Sequence, residues 1–343
     1  MNIMQSFIDI QKKLVPDLLQ VLQKRYSILR YIGFMQPVGR RSLAVSLELT
    51  ERVLRGEVEF LKEQNLIFTN NVGMSLTSEG KNLLEDLEGL MRELKGIDVM
   101  ELELKHRLGI KKVIIVPGDS DESPMVKGEL GKASAICMKK LLSGKNIIAV
   151  TGGSTMAAVA ERLTPDFSKK ELLFVPARGG VGEDVHNQAN TICSNMARNT
   201  DSKHRVFYVP DQVSSEIYES LIKEPDIHDV LHLIKSASMV LHGIGDAITM
   251  AERRKTNPDI KKKLEDGKAV GEAFGYYFNE EGEIVHKVFT IGLQLEDLAE
   301  IPHVIAVAGG ASKAKAIKAY FKQAPASTIL ITDEGVAKRL LKG

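Results

Sequence analysis

Residues 146–163 read NIIAVTGGSTMAAVAERL. A short apolar, β-branched run, Ile147–Val150, meets two glycines, then Ser154 and Thr155, then an alanine-rich stretch with helical spacing. That order is a strand, a turn able to cradle an anion, and a helix. Strand-like runs recur at Val113–Val116, Leu172–Val175, Val206–Val209, Met239–Leu241, Val304–Val307 and Ile329–Ile331, most of them separated by helical patterns. The alternation predicts an α/β domain around a largely parallel sheet, with ligands collecting at the carboxyl ends of the strands.

Upstream the grammar differs. Pro16–Phe34 carries a helical apolar stripe that Pro37 and Gly39 break, and Arg40–Leu47 reads as a short helix. Thr50 is a good N-cap for a helix running to about Gln64, with Val53, Leu54, Val58 and Leu61 as its buried face. Asn65–Thr77 alternates around Asn70-Asn71-Val72-Gly73, a hairpin signal, and Thr77-Ser78 opens another helix. Helix, turn, helix and two-stranded hairpin is the order of a winged helix-turn-helix. Residues 1–90 are therefore expected to bind DNA, 91–110 to form a linker helix, and 111–343 to form the α/β domain.

Composition sets outer limits. The chain has 343 residues, two cysteines, 43% hydrophobic and 27% charged residues, and a net charge of +1. Two cysteines make no disulfide framework, the apolar runs are too short to span a bilayer, and no secretory signal is recognisable, so a cytoplasmic chain without membrane partners is expected. The only histidine pair four residues apart, His228 and His232, sits on an amphipathic helical pattern and makes no convincing metal site. Nucleic-acid binding must be argued from local charge: Lys24–Gly56 holds seven basic residues against Glu48 and Glu51. Arg52 and Arg55, three apart, project from one face of the expected recognition helix, and Arg40 and Arg41 are placed for phosphates. The candidate DNA-contacting set is Arg40, Arg41, Ser42, Thr50, Glu51, Arg52 and Arg55; Glu57, Glu59 and Glu63 are expected to dilute charge on that helix.

In the α/β part, five strands end in glycine turns. Thr151-Gly152-Gly153-Ser154-Thr155 offers backbone amides and hydroxyls, and Gly309-Gly310-Ala311-Ser312-Lys313 repeats the design with a lysine. Two anion cradles in one crevice suit a ligand with a phosphate at each end. Arg178 and the pair Arg253-Arg254 would add charge-assisted contacts, Glu272 could accept sugar hydroxyls, and Gln188 could do either job. His242-Gly243-Ile244-Gly245-Asp246 resembles the GIG turn of glucosamine-6-phosphate deaminases and ribose-5-phosphate isomerases, but continues Ala247-Ile248-Thr249-Met250 without those enzymes' catalytic histidine. Asp246 then reads better as a helix cap than as a catalytic base. A sugar-phosphate isomerase or deaminase is the alternative this leaves.

Six segments carry a more specific resemblance: residues 39–67 (GRRSLAVSLELTERVLRGEVEFLKEQNLI), 149–166 (AVTGGSTMAAVAERLTPD), 171–193 (ELLFVPARGGVGEDVHNQANTIC), 235–247 (KSASMVLHGIGDA), 272–288 (EAFGYYFNEEGEIVHKV) and 306–321 (AVAGGASKAKAIKAYF). Together they resemble the SorC family of transcription factors along nearly the whole chain. The resemblance implies a winged helix followed by an effector domain of isomerase/deaminase-like, Rossmann-like topology. It further implies a non-enzymatic repressor of glycolytic genes that fructose 1,6-bisphosphate releases, working as a homodimer or homotetramer on operator DNA without a cofactor; an activator of the same family serving another sugar-phosphate pathway is the second alternative. Carried onto this chain, the effector contacts would be Thr151–Thr155, Arg178, Gln188, Arg253, Arg254, Glu272 and Lys313. The extreme N-terminus departs most from the family pattern.

Overall fold

A computed structural model describes residues 13–167, 170–180 and 184–342. The divergent first twelve residues lie outside the described ones. Two compact units divide at Val99/Met100.

The first unit contains α1 (Pro16–Met35), α2 (Arg40–Ser46), α3 (Glu51–Glu63), the hairpin β1 (Ile67–Asn70) and β2 (Gly73–Leu76), and α4 (Ser78–Leu94). It is a winged helix-turn-helix. Thr50 Oγ1 accepts the Val53 amide and so caps α3, while Thr77 Oγ1 accepts the Gly80 amide and caps α4. The hairpin pairs Ile67 with Leu76 and Asn70 with Gly73, and the Asn70 side chain accepts the Val72 and Gly73 amides. Gly73 sits at φ +147°, where a Cβ would collide with the Val38 backbone. Leu54, Val58 and Leu61 are buried, as their spacing predicts, but Val53 is 42% exposed on the outer side of α3.

The second unit begins within α5 (Ile97–Leu108) and is built on β3 (Lys112–Val116), α6 (Pro124–Leu141), β4 (Lys145–Val150), α7 (Ser154–Glu161), β5 (Glu171–Pro176), α8 (Ala189–Thr200), β6 (Lys203–His204), α9 (Ser215–Leu221), α10 (Pro225–Lys235) and β7 (Met239–His242). It continues through β8 (Gly245–Asp246), α11 (Ala247–Arg253), α12 (Pro258–Asp266), β9 (Gly271–Ala273), β10 (Tyr276–Phe278), β11 (Ile284–Lys287), β12 (His303–Val307), α13 (Ala314–Phe321), β13 (Ile329–Asp333) and α14 (Glu334–Lys342). Seven strands form a parallel sheet in the order β3-β13-β12-β7-β4-β5-β6. Its central strands are apolar because helices cover both faces; β7 and β13 are buried along their whole length.

Two features depart from the sequence reading. The expected strand Val206–Val209 is not one: β6 is only Lys203–His204, and the Phe207 backbone bonds the Asn190 side chain in both directions (2.8 and 3.1 Å) instead of a neighbouring strand. A second sheet, antiparallel with order β11-β10-β9-β8, was not foreseen. Its strands are two to four residues long, and β9 and β10 are buried throughout, so they show no alternation; Phe274-Gly275 turns between β9 and β10 at positive φ.

Candidate effector site and nucleic-acid interface

Where β4 and β7 end, their loops open a cavity of about 150 Å³ in the second unit. The turn after β4 forms one wall. Gly152 is needed because a Cβ would approach the Asn187 carbonyl within 2.7 Å, and Gly153 takes φ +117° while its N–H donates to that carbonyl (2.8 Å). Thr151 Oγ1 accepts the Gly243 amide (3.3 Å), joining this turn to the His242–Asp246 turn. α7 then starts at Ser154 with no side-chain cap, so its first amides face the cavity as anion donors.

Three cations gather there. Lys313 and Arg253 line the cavity, and Lys127 Nζ lies 3.4 Å from Ser154 Oγ. Lys313 and Arg253 form no ion pair among the described residues. Burial, together with Lys127, pushes the Lys313 ammonium below its ordinary value; Arg253 adds to this, and Asp121 and Asp333 oppose it. An electropositive pocket with an uncapped helix N-terminus at its base takes an anion.

The other end of the cavity is electrically different. Arg178 and Arg254 line it as expected, but both are already paired. Arg178 Nη2 donates to Asp211 (2.5 Å) and Nη1 lies 3.6 Å from Glu272; Arg254 donates to Asp211 (2.8 Å), Glu272 (2.9 Å) and the Tyr277 hydroxyl (3.0 Å). All four charged side chains are at most 7% exposed, and two positive charges meet two negative ones. Burial raises the Asp211 carboxyl, but the two guanidinium groups outweigh it and hold it below the usual range. One donor is left over: Arg178 Nε is buried with no acceptor.

The structure thus brings Thr151, Gly152, Gly153, Ser154, Thr155, Arg178, Gln188, Arg253, Arg254, Glu272 and Lys313 to one cavity. Gly309 and Gly310 do not line it, which corrects the expectation of a second glycine cradle. The Gly310 amide donates to Asp333 (2.7 Å), Ala311 to Asp119 (3.2 Å) and Ser312 to Asp121 (2.8 Å), so the protein's own carboxylates occupy the donors meant for phosphate. Lys127 and Asp211 were missed by the sequence reading. Neither sits in a motif; Asp211 belongs to the loop after β6, where an apolar alternation drew attention away from it. His242 is fully buried, bonded to the Gly243 carbonyl (3.1 Å) and the Tyr320 hydroxyl (2.9 Å), and Asp246 caps α11 by accepting the Thr249 amide (2.9 Å).

In the first unit, Arg40, Arg41 and Ser42 occupy the first turn of α2 and are exposed, as are Thr50, Glu51, Arg52 and Arg55 at the start of α3. Arg41 lies 3.5 Å from Glu51 in an exposed pair of little energetic weight. Lys24 and Arg25 instead hold Glu57 (2.6 and 2.8 Å), and Arg25 lies 3.6 Å from the Phe60 ring centroid. Glu57 is therefore neutralised inside the unit and does not dilute the outward charge of α3, contrary to the sequence reading.

A winged-helix unit joined in one chain to an α/β unit with an anion-accepting cavity defines a DNA-binding regulator with a ligand domain. Residues 21–91 match the family described as CggR N-terminal DNA binding domain, and residues 92–342 match a sugar-binding domain family. The chain is 61% identical over 340 residues to the central glycolytic genes regulator of Priestia megaterium and 58% identical over 339 residues to that of Bacillus subtilis, covering 99% of each pair of chains. A solved SorC-family regulator from Enterococcus faecalis superposes with a TM-score of 0.67 at 49% identity, over 71% of this chain and 99% of that one. The chain belongs to the SorC-type family of sugar-binding transcriptional regulators. It is a regulator and not the isomerase or deaminase weighed above. Among the described residues no helix is long and apolar enough to cross a membrane.

Proposed function

We propose that this protein represses glycolytic genes and that fructose 1,6-bisphosphate releases it from its operator. In this reading residues 1–90 bind DNA, 91–110 connect, and 111–343 take the effector. The protein acts in the cytoplasm as a homodimer or homotetramer and uses no cofactor. Two relatives that match the chain over 99% of its length are called central glycolytic genes regulators, which supports the gene class. The observation that carries the ligand class is the cavity's cationic end: an uncapped α7 with Lys313, Arg253 and Lys127 around it. One phosphate binds there, the sugar hydroxyls meet Glu272, and the second phosphate reaches Arg178 and Gln188.

Arg52 and Arg55 contact base edges while Arg40, Arg41 and Ser42 hold phosphates. Thr50 and Glu51 fix the start of the reading helix. Calorimetry with the full chain tests the ligand: fructose 1,6-bisphosphate should bind at least about tenfold tighter than fructose 6-phosphate. It should also reduce operator retention in a gel shift. Equal affinities, or tighter operator binding with the bisphosphate, would remove the proposal.

A further inference from the structure

The four-charge cluster at the Arg178–Arg254 end of the cavity raises a difficulty for any doubly anionic ligand. Arg178 and Arg254 are the cations nearest that end, yet Asp211 and Glu272 already neutralise them. The two carboxylates are not equivalent. Glu272 is fixed in β9, and its Oε1 also accepts the Gly275 amide at 2.6 Å. Asp211 stands on a loop outside any strand: Asp211 N–H donates to the Gly180 carbonyl (3.0 Å) and Gly180 N–H to the Val209 carbonyl (3.1 Å), with the Phe207–Asn190 bonds before them and Val213 N–H to the Phe289 carbonyl (3.3 Å) after them. Arg178 keeps a buried, unpartnered Nε beside its bond to Asp211, so the guanidinium has donor capacity that the free protein does not use. A buried donor without an acceptor is costly, and an arriving oxyanion would relieve that cost.

We infer that Asp211 is the specificity-determining residue of this cavity: it is an internal counter-anion that holds Arg178 and Arg254 until the second phosphate of the ligand takes its place. The inference rests on the sugar-bisphosphate reading above and concerns how that ligand is distinguished from a monophosphate. In the free protein Asp211 keeps the buried guanidinium groups neutralised, which removes the penalty of leaving them unpaired. A ligand with one phosphate uses the cationic end and leaves Asp211 in place. A ligand with two exchanges the Asp211 carboxylate for its own oxyanion, and the loop carrying Asp211 loses its anchor on Gly180.

The test compares the full-length protein with its Asp211→Asn variant, which keeps the side-chain shape and removes the charge. Calorimetric titrations use fructose 1,6-bisphosphate and fructose 6-phosphate as probes. The variant should bind the bisphosphate about tenfold tighter, equal to about 1.4 kcal/mol, and the monophosphate within about twofold of wild type. Its ligand-free form should melt lower and gain more in melting temperature from the bisphosphate. In wild type, which needs no variant to fold, hydrogen exchange of the Asp211 and Gly180 amides should accelerate when the bisphosphate binds. Unchanged or weaker bisphosphate binding by the variant, or slower exchange at those amides in wild type, overturns the inference. If wild type itself binds both sugars equally, the ligand reading fails and the inference with it; if wild type discriminates and the variant matches it, the Asp211 inference alone fails.

Discussion

Lys313 is the side chain on which the response to ligand should turn. It reaches the cavity although its own glycine turn does not, and it faces Lys127 and Arg253 without an ion pair to offset them. Lys313→Ala should bind operator normally and lose about 10- to 100-fold in effector affinity, the weight of one charge-assisted hydrogen bond; a gel-shift titration with unaltered bisphosphate response would refute this. His242 gives the residue scale a pH dependence. Burial pushes its imidazole down to about 4, against the hydrogen bond to the Gly243 carbonyl and the charge of Glu272. The unfolded chain takes up this proton near pH 6.5 and the folded one refuses it, so stability rises with pH across the window between the two values. Acidification from pH 6.5 to 4 should cost the second unit about 3 kcal/mol, lost progressively. Imidazole resonances of His242 that titrate near pH 6.5 would contradict it.

At the scale of elements, α3 and the turn after β4 carry the two recognition tasks in the proposed reading, and the form of both was legible in the sequence. Thr50 as cap, the burial of Leu54, Val58 and Leu61, and the Asn-Gly-bounded hairpin depend on neighbours within a few residues, and such short-range rules survive folding. Arg52→Ala should lose about 1–3 kcal/mol of discrimination between operator and random DNA while keeping its thermal stabilisation by effector. Nuclease footprints on the operator identical to wild type would count against it. The failures have equally local causes. Val206–Val209 does alternate, with Phe207 and Val209 buried and Val206 and Tyr208 exposed, but its backbone bonds go to the Asn190 side chain and the Gly180 amide. The strands of the second sheet are too short to announce themselves, and β9 and β10 are buried throughout.

For the whole molecule, one prediction follows from linkage. If the sugar bisphosphate lowers operator affinity by some factor, operator DNA must lower bisphosphate affinity by the same factor. Calorimetry of the bisphosphate with and without saturating operator, set against the gel-shift ratio, tests this; unequal factors in one buffer would show that the two sites are not coupled through a single equilibrium.

The sequence by itself determined the family, the seven-strand alternation in all but one strand, the winged-helix order and eleven of the thirteen residues expected at the cavity. Each of these depends on periodicity, capping or turn chemistry, which act over a few residues. Only the tertiary structure decided which charges are available. It spent the Gly310, Ala311 and Ser312 amides on Asp333, Asp119 and Asp121, matched Arg178 and Arg254 with Asp211 and Glu272, and left Lys313 and Arg253 without an ion pair among the described residues. Neutralisation depends on side chains brought together from distant parts of the chain, and in a buried site those partners, more than the residue's own charge, decide whether it can hold a ligand.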